Sequence, residues 1–487
     1  MVAAVEVGYR AWVRNVGHGG GMRDDVFMLY GVGESTMVGE PFDDRFSLPS
    51  LVSEMLGGVI RGRSIVIRNV AERGAGAYAQ SFRLERELAS THRSGAGAVL
   101  IYSGHNEPYM RGQNGTDGAG PAVQPTPWIA RAARSLLERS WLLRDAFLYR
   151  RSSRFVRPRA DMHLYEWSLR RMIVLSQEAG LLPVLFTLPS NLSGIEPNSR
   201  ADQTRDVAAI LDVGAALERA GNFVTALDYY RAQHEAAVAA NHEGALLLLY
   251  RIAHCEVALR RYADARRDFW AVINRDLRLN FGRATVAQNA LVRRLAAEYG
   301  VPLVDAVHVF ERNAPHGILG NDLFSDGHHP NLRGYWLLAR ACAGRLAGVM
   351  KLEMSTNLST VDDIAARFGL GSVELRRANV DSGSWLLATA VYHPWPMDRM
   401  TLAEARFRAA LGTGDDVSAW LGIALTQATR NGGFLRDAEN VDLLGREKVY
   451  YSKALVIPPS DREYLLSRLR NAGVDADVLQ QLEGLWR

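Results

Sequence analysis

Four short segments hold the residues whose types and spacing could do chemistry. In Gly31-Val-Gly-Glu-Ser35-Thr, a serine between a glycine turn and a following helix can present its hydroxyl as a nucleophile and its backbone N–H to an oxyanion. In Asn69-Val-Ala-Glu-Arg-Gly74-Ala-Gly76, glycine lets the backbone approach a ligand closely and offer an N–H. In Ser103-Gly104-His105-Asn106-Glu107, an asparagine amide can donate to a developing negative charge without itself ionising. In Asp326-Gly-His328-His329-Pro330, a carboxylate three residues ahead of an imidazole can hold its Nδ1–H and leave Nε2 to take a proton. Each segment also has a plain reading: a structural Gly-x-Ser turn, a turn glycine, a polar loop tip, and a metal site made by Asp and two His. Adjacent histidines rarely ligate one ion, and no further His or carboxylate stands at a ligand spacing, so no metal is assigned.

Elements able to position these segments alternate along the first part of the chain. Short β-rich apolar runs at 26–31, 64–70, 98–103 and 182–188 alternate with helical periodicity near 45–57, 76–92, 128–149 and 163–180, and a fifth strand is expected only at 302–307. Such alternation predicts an α/β fold with a parallel sheet covered by helices. All four segments then follow strands, at the carboxyl edge where ligands bind in open α/β sheets.

Between the fourth and fifth strands the composition shifts to Ala, Leu and Arg with helical spacing. Gly214, Gly221, Phe223, Ala226 and Tyr230 are echoed by Ala253, Arg260, Tyr262, Ala265 and Phe269 at the same offsets. These offsets resemble the small and aromatic positions of tetratricopeptide (TPR) hairpins, although the second block lacks the turn glycine. An irregular helical insert over about 200–275 is expected. The region after 350 reads as mostly helical, with a degraded echo at Ala403, Phe407, Ala410, Trp420, Leu421 and Gly422. A Gly- and Pro-rich loop at 112–127 follows the third strand.

Composition narrows the function classes. At 487 residues the chain is long enough for two or three domains. Hydrophobic residues at 48% and charged residues at 23% match globular averages and argue against disorder or a membrane bundle. A net charge of +4 is small for this length, and the basic residues are dispersed, which disfavours a nucleic-acid partner. Lysine occurs only at Lys351, Lys448 and Lys453, so the basic character is carried by arginine. Cys255 and Cys342 lie in Ala- and Leu-rich helical segments and read as buried thiols with neither metal nor redox spacing. No apolar run approaches a membrane span, and no signal-peptide pattern is visible, so a cytoplasmic chain is expected.

Taken in order, the four segments resemble the consensus blocks of the SGNH (GDSL-like) hydrolase superfamily, and the whole arrangement is similar to bacterial TPR-containing SGNH proteins. The Leu-Pro-Ser-Asn segment at 188–191 belongs to that likeness. The resemblance implies a flavodoxin-like three-layer sandwich with a central parallel five-stranded sheet. The hydrolase core would span 24–200 and 276–350, interrupted by a TPR-like insert at 201–275 and followed by a helical domain at 351–487. It implies a Ser35, His329 and Asp326 triad, an oxyanion hole from Ser35, Gly74 and Asn106, and substrate contacts from His105, Glu107 and Tyr109. No cofactor is implied, and the N-terminal membrane anchor that members of this group often carry would have its remnant at 2–13. The expected reaction is hydrolysis of a small-molecule or glycan ester through an acyl-enzyme. Alternatives are an acyltransferase with the same triad, or an interaction scaffold with a silent hydrolase domain. The helical insert is expected to shape access to the site or to meet a protein partner. Glu34 and Glu107 replace the aspartates usual in the first and third blocks, which puts local hydrogen bonds, not the triad, in question.

Overall fold

The structure, a computed structural model, describes residues 25–414 apart from 92–95, 108, 111–158, 161, 198–204, 241, 243, 277–281, 353–359 and 390–394, together with isolated positions between 416 and 479. The expected loop at 112–127, the helix at 128–149 and the segment 2–13 therefore lie outside the described residues.

The elements follow in order β1 (Val26–Gly33), α1 (Ser35–Val38), α2 (Leu48–Met55), β2 (Val59–Ile60), β3 (Arg63–Asn69), α3 (Ala77–Thr91), β4 (Gly97–Tyr102), β5 (Tyr109–Met110), β6 (Arg159–Ala160), α4 (Met162–Glu178) and β7 (Leu182–Phe186). Four helices come next: α5 (Arg205–Arg219), α6 (Phe223–Ala239), α7 (Ala245–Ala258) and α8 (Tyr262–Arg275). The chain then returns with α9 (Val286–Tyr299), β8 (Leu303–Val304), α10 (Ala306–Asn313) and α11 (Leu332–Met350), and continues into α12 (Val361–Arg367), α13 (Ser372–Thr389) and α14 (Met397–Gly412).

The main sheet has six strands in the order β2-β3-β1-β4-β7-β8. Neighbours from β3 to β8 are parallel, and β2 pairs antiparallel with β3, so the sheet is mixed and larger than the five-stranded parallel sheet expected. Two residues of strand give no periodic signal, which is why β2 was not legible. What forms it is the turn: Arg61 and Gly62 both take left-handed φ, 51° and 77°, the geometry that joins twisted antiparallel strands. The strand expected at 302–307 ends at Val304, because the Asp305 side chain accepts the His308 N–H at 3.3 Å and starts α10. A separate ribbon pairs β5 with β6.

Burial on both faces explains why the central strands read as continuous apolar runs. From β1, Phe27 and Leu29 enter one core and Tyr30 and Val32 the other; from β4, Ala98, Leu100 and Tyr102 oppose Val99 and Ile101. The first face is covered by α2 and α11, and its core runs without a break into α7 and α8 through Tyr250, Ala253, Ala265 and Phe269. Residues of α3, α4 and α9 cover the second. The α7 and α8 helices thus share the core of the sheet, whereas α5 and α6 pack through Leu211, Ala226, Leu227 and Tyr230 into a second cluster with the other face of α7. The two sequence blocks fall on α5/α6 and α7/α8. Where the second block lacks its glycine, Arg260 takes a left-handed φ of 59°, close to the 76° of Gly221. Among the described residues, no helix is long and apolar enough to cross a membrane.

Gly33 ends β1 opposite Tyr102 of β4, and a Cβ there would run into the Tyr102 carbonyl oxygen. Gly33→Ala is therefore expected to destabilise the protein by about 2–3 kcal/mol through forced separation of two central strands. Urea unfolding checks this; an unchanged midpoint would contradict the packing described.

Candidate active site

The turn after β1 brings Ser35 to the carboxyl edge of the sheet as the first residue of α1. The segment beyond β8 meets it there. His329 Nε2 lies 2.7 Å from Ser35 Oγ, and His329 Nδ1 lies 2.6 Å from Asp326 Oδ2. The other oxygen, Asp326 Oδ1, accepts the backbone N–H groups of His328 and His329 at 3.0 and 2.9 Å. Burial by itself would raise the pKa of this carboxyl, but the neighbouring His329 ring and the hydrogen bonds hold it well below the usual carboxylate range. Asp326 is thus an anion matched by donors on both oxygens, three residues from the ring it orients.

The Asp326 loop is closed locally and braced from a distance. Ser325 N–H donates to the His329 carbonyl at 2.8 Å, and Phe324 bridges to Pro330. Asn191, from the Leu-Pro-Ser-Asn segment, donates its side-chain amide to the Asp326 carbonyl and its N–H to the Gly327 carbonyl, at 2.8 and 2.9 Å. Asn331 caps α11 by accepting the Gly334 N–H at 3.0 Å. One turn along α11, the Tyr335 hydroxyl reaches the carbonyls of Thr36 and Glu40 at 3.0 and 2.7 Å, which ties the histidine loop to the serine turn.

Both glutamates at the departures from the family pattern link blocks. Glu34, buried beside Ser35, accepts from Ser103 Oγ at 3.0 Å, Gly104 N–H at 2.8 Å and His105 N–H at 3.1 Å. Burial pushes its pKa up to about 7 against the downward pull of these donors. Glu107, also buried, accepts the Ala77 N–H at the start of α3 at 2.9 Å. The first block is thereby joined to the third and the third to the second. Gly104 takes a φ of 147° where a Cβ would strike Tyr165 and Leu188, and its carbonyl accepts from Gln288 at 2.8 Å.

The remaining sequence candidates are distributed around this frame. Asn106 is partly buried in the loop that Glu34 holds. Gly74 is exposed in the turn before α3 with a left-handed φ of 73°. His105 is buried and stacked on His328 with ring centroids 4.7 Å apart, and His328 in turn lies 4.1 Å from His329. Burial lowers the pKa of His105 to about 3 and that of His328 well below the ordinary value, so both of these rings are neutral at neutral pH. The Tyr109 backbone lies in β5; its side chain is outside the described residues.

Asp326, His328 and His329 have ligand atoms within 4.8 Å of one another. An ion there would have to displace the bonds that Asp326 makes to His329 and that His329 makes to Ser35. The donor set is better suited to passing a proton along a line than to coordination.

Several residues at the site carried no sequence signal. Arg406 of α14 donates to the carbonyls of Phe324 and Ser325 at 2.6 and 3.2 Å, and the ring of Trp385 on α13 stands edge-on to His329, 6.5 Å between centroids. Buried Arg283 donates to the carbonyls of Asn191 and Ile195 at 3.0 and 3.2 Å and pairs with Asp276 at 2.7 Å. In a chain whose basic residues are nearly all arginine, nothing in the local sequence distinguishes Arg283 or Arg406 from the rest.

A folded-state pKa of about 7 for Glu34, above the 4.5 of an ordinary glutamate, gives the protein a stability component that is fully present below pH 4.5 and is lost as the pH rises towards 7. The loss amounts to about 3 kcal/mol. Glu34→Gln, which does not titrate, is expected to lack this component. Urea unfolding of both proteins at pH 4.5 and pH 8 checks it, and parallel pH dependences would contradict the assignment.

No protein-family model and no curated protein matches the chain. Among solved structures it is similar to a member of the lipolytic protein G-D-S-L family from Veillonella parvula DSM 2008, at 10% identity and a TM-score of 0.30, over 66% of this chain and 97% of that one.

Proposed function

We propose that the protein is a serine hydrolase acting on carboxylic esters. The observation that carries this reading is the line Ser35 Oγ, His329 Nε2, His329 Nδ1, Asp326 Oδ2, with spacings of 2.7 and 2.6 Å across its two hydrogen bonds. A serine hydroxyl is a weak nucleophile until a base takes its proton, and an imidazole held by a buried anion is such a base at neutral pH.

In the proposed cycle Ser35 Oγ attacks the ester carbonyl while His329 Nε2 takes its proton. The backbone N–H groups of Ser35 and Gly74 and the Asn106 amide stabilise the tetrahedral oxyanion, each good donor contributing about 3–4 kcal/mol. Collapse breaks the bond to the alcohol, whose oxygen receives the proton from His329. Water, activated by the same imidazole, then releases the acid from Ser35. This chemistry needs no metal or cofactor. The substrate class is a small-molecule or glycan ester, with 24–200 and 276–350 as the catalytic unit. The α5–α8 region, read as TPR-like, is proposed to flank access to the site or to meet a protein partner.

Ser35→Ala is expected to abolish labelling by a fluorophosphonate probe and to lower p-nitrophenyl acetate hydrolysis by about 10⁴-fold or more. Asp326→Asn, which leaves the ring without its anion, should cost about 10⁴-fold in kcat. Equal labelling of wild type and Ser35→Ala would refute the nucleophile assignment.

A further inference from the structure

The rings beside His329 differ in one respect that bears on substrate choice. His328 is buried, whereas Trp385 is partly exposed, with its indole edge-on to His329 at an interplanar angle of 82°. Trp385 belongs to α13, in the C-terminal helical region, and is held firmly there. Gly383 admits the Phe407 ring of α14, where a Cβ would come within 2.8 Å of that ring. In α14 itself, the backbone N–H of Arg399 donates to the buried carboxylate of Glu196 at 3.2 Å, and Arg406 holds the carbonyls of Phe324 and Ser325 in the Asp326 loop. The Arg399 guanidinium lies 6.0 Å from the Trp385 ring centroid, within cation–π range.

From this placement we infer that Trp385 forms the subsite for the alcohol portion of the ester and selects alcohols that carry a ring. The inference rests on the hydrolase reading above. In that chemistry His329 Nε2 must deliver its proton to the departing oxygen, so the leaving alcohol occupies the space next to the His329 ring. Trp385 borders that space. A flat indole held on a rigid helix pair offers dispersion and desolvation to a flat partner and little to a flexible chain. The C–H face of a pyranose and the face of an aromatic ring share that chemistry.

The test compares three acetate esters, butyl acetate, benzyl acetate and an acetylated methyl glucopyranoside, and reads the change in their rate ratios between variants, in which differences in leaving ability cancel. Wild type, Trp385→Phe and Trp385→Ala are each measured as kcat/KM, with fluorophosphonate labelling of Ser35 as an independent readout of the triad. The ratio of ring ester to butyl ester is expected to fall by about 10- to 100-fold in Trp385→Ala and by less in Trp385→Phe. The arm in which it falls, benzyl or pyranoside, identifies the kind of ring. If Ser35 labels and the ratios stay constant across the three proteins, this inference is overturned and the hydrolase reading stands. If wild-type Ser35 does not label and no ester is cleaved, both are overturned.

Discussion

A carboxylate removed from water must be met by donors, and the position of nearly every segment around this site answers that requirement. Asp326 is met by the His329 ring and two backbone N–H groups, Glu34 by the loop at 103–105, Glu107 by the start of α3, and Asp276 by Arg283. None of these carboxyl groups is matched by a lysine. Each instead fixes backbone around the Ser35–His329–Asp326 grouping, so the cost of burying a polar group is offset by the order it imposes there.

The hydrogen-bonded line from Ser35 through His329 to Asp326 is consequently an assembly of remote parts. Ser35 and His329 are separated by 294 positions, yet Tyr335 binds the serine turn from the helix that follows the histidine loop. Asn191 braces the Asp326 carbonyl from the end of the fourth parallel segment, and Gln288, next to Thr285 in a capping box, holds the Gly104 carbonyl. Such cross-bracing keeps the donor–acceptor distances short.

The helical regions are continuous with this assembly. Residues of α7 and α8 enter the core beneath the sheet, and α14 reaches the Asp326 loop through Arg406. Glu196, whose pKa burial pushes up to about 7, accepts backbone N–H groups of Asp398 and Arg399. Arg251 closes a further ion pair to Asp398 at 2.8 Å.

Local order was legible in the sequence because it depends on neighbours in the chain. Strands buried on both faces leave apolar runs, glycines mark tight turns, and an aspartate three residues before a histidine lies within reach of its ring. The four central strands, the α2, α3 and α4 helices and the Asp326–His329 pairing could all be read in this way, whereas the meeting of Ser35 with that pair was implied only by the resemblance of the ordered segments. The two-residue β2 could not, since its existence depends on a turn and a neighbouring strand. Neither could the duties of Arg406, Trp385, Glu34 and Glu107. An arginine donating to the carbonyls of Phe324 and Ser325, or an indole beside His329, is defined by residues brought close only after the chain packs. The sequence by itself determined which groups stand at the strand ends and the order in which the strands deliver them. Tertiary structure alone decided their neighbours, because burial, charge pairing and ring contact are properties of space and not of spacing.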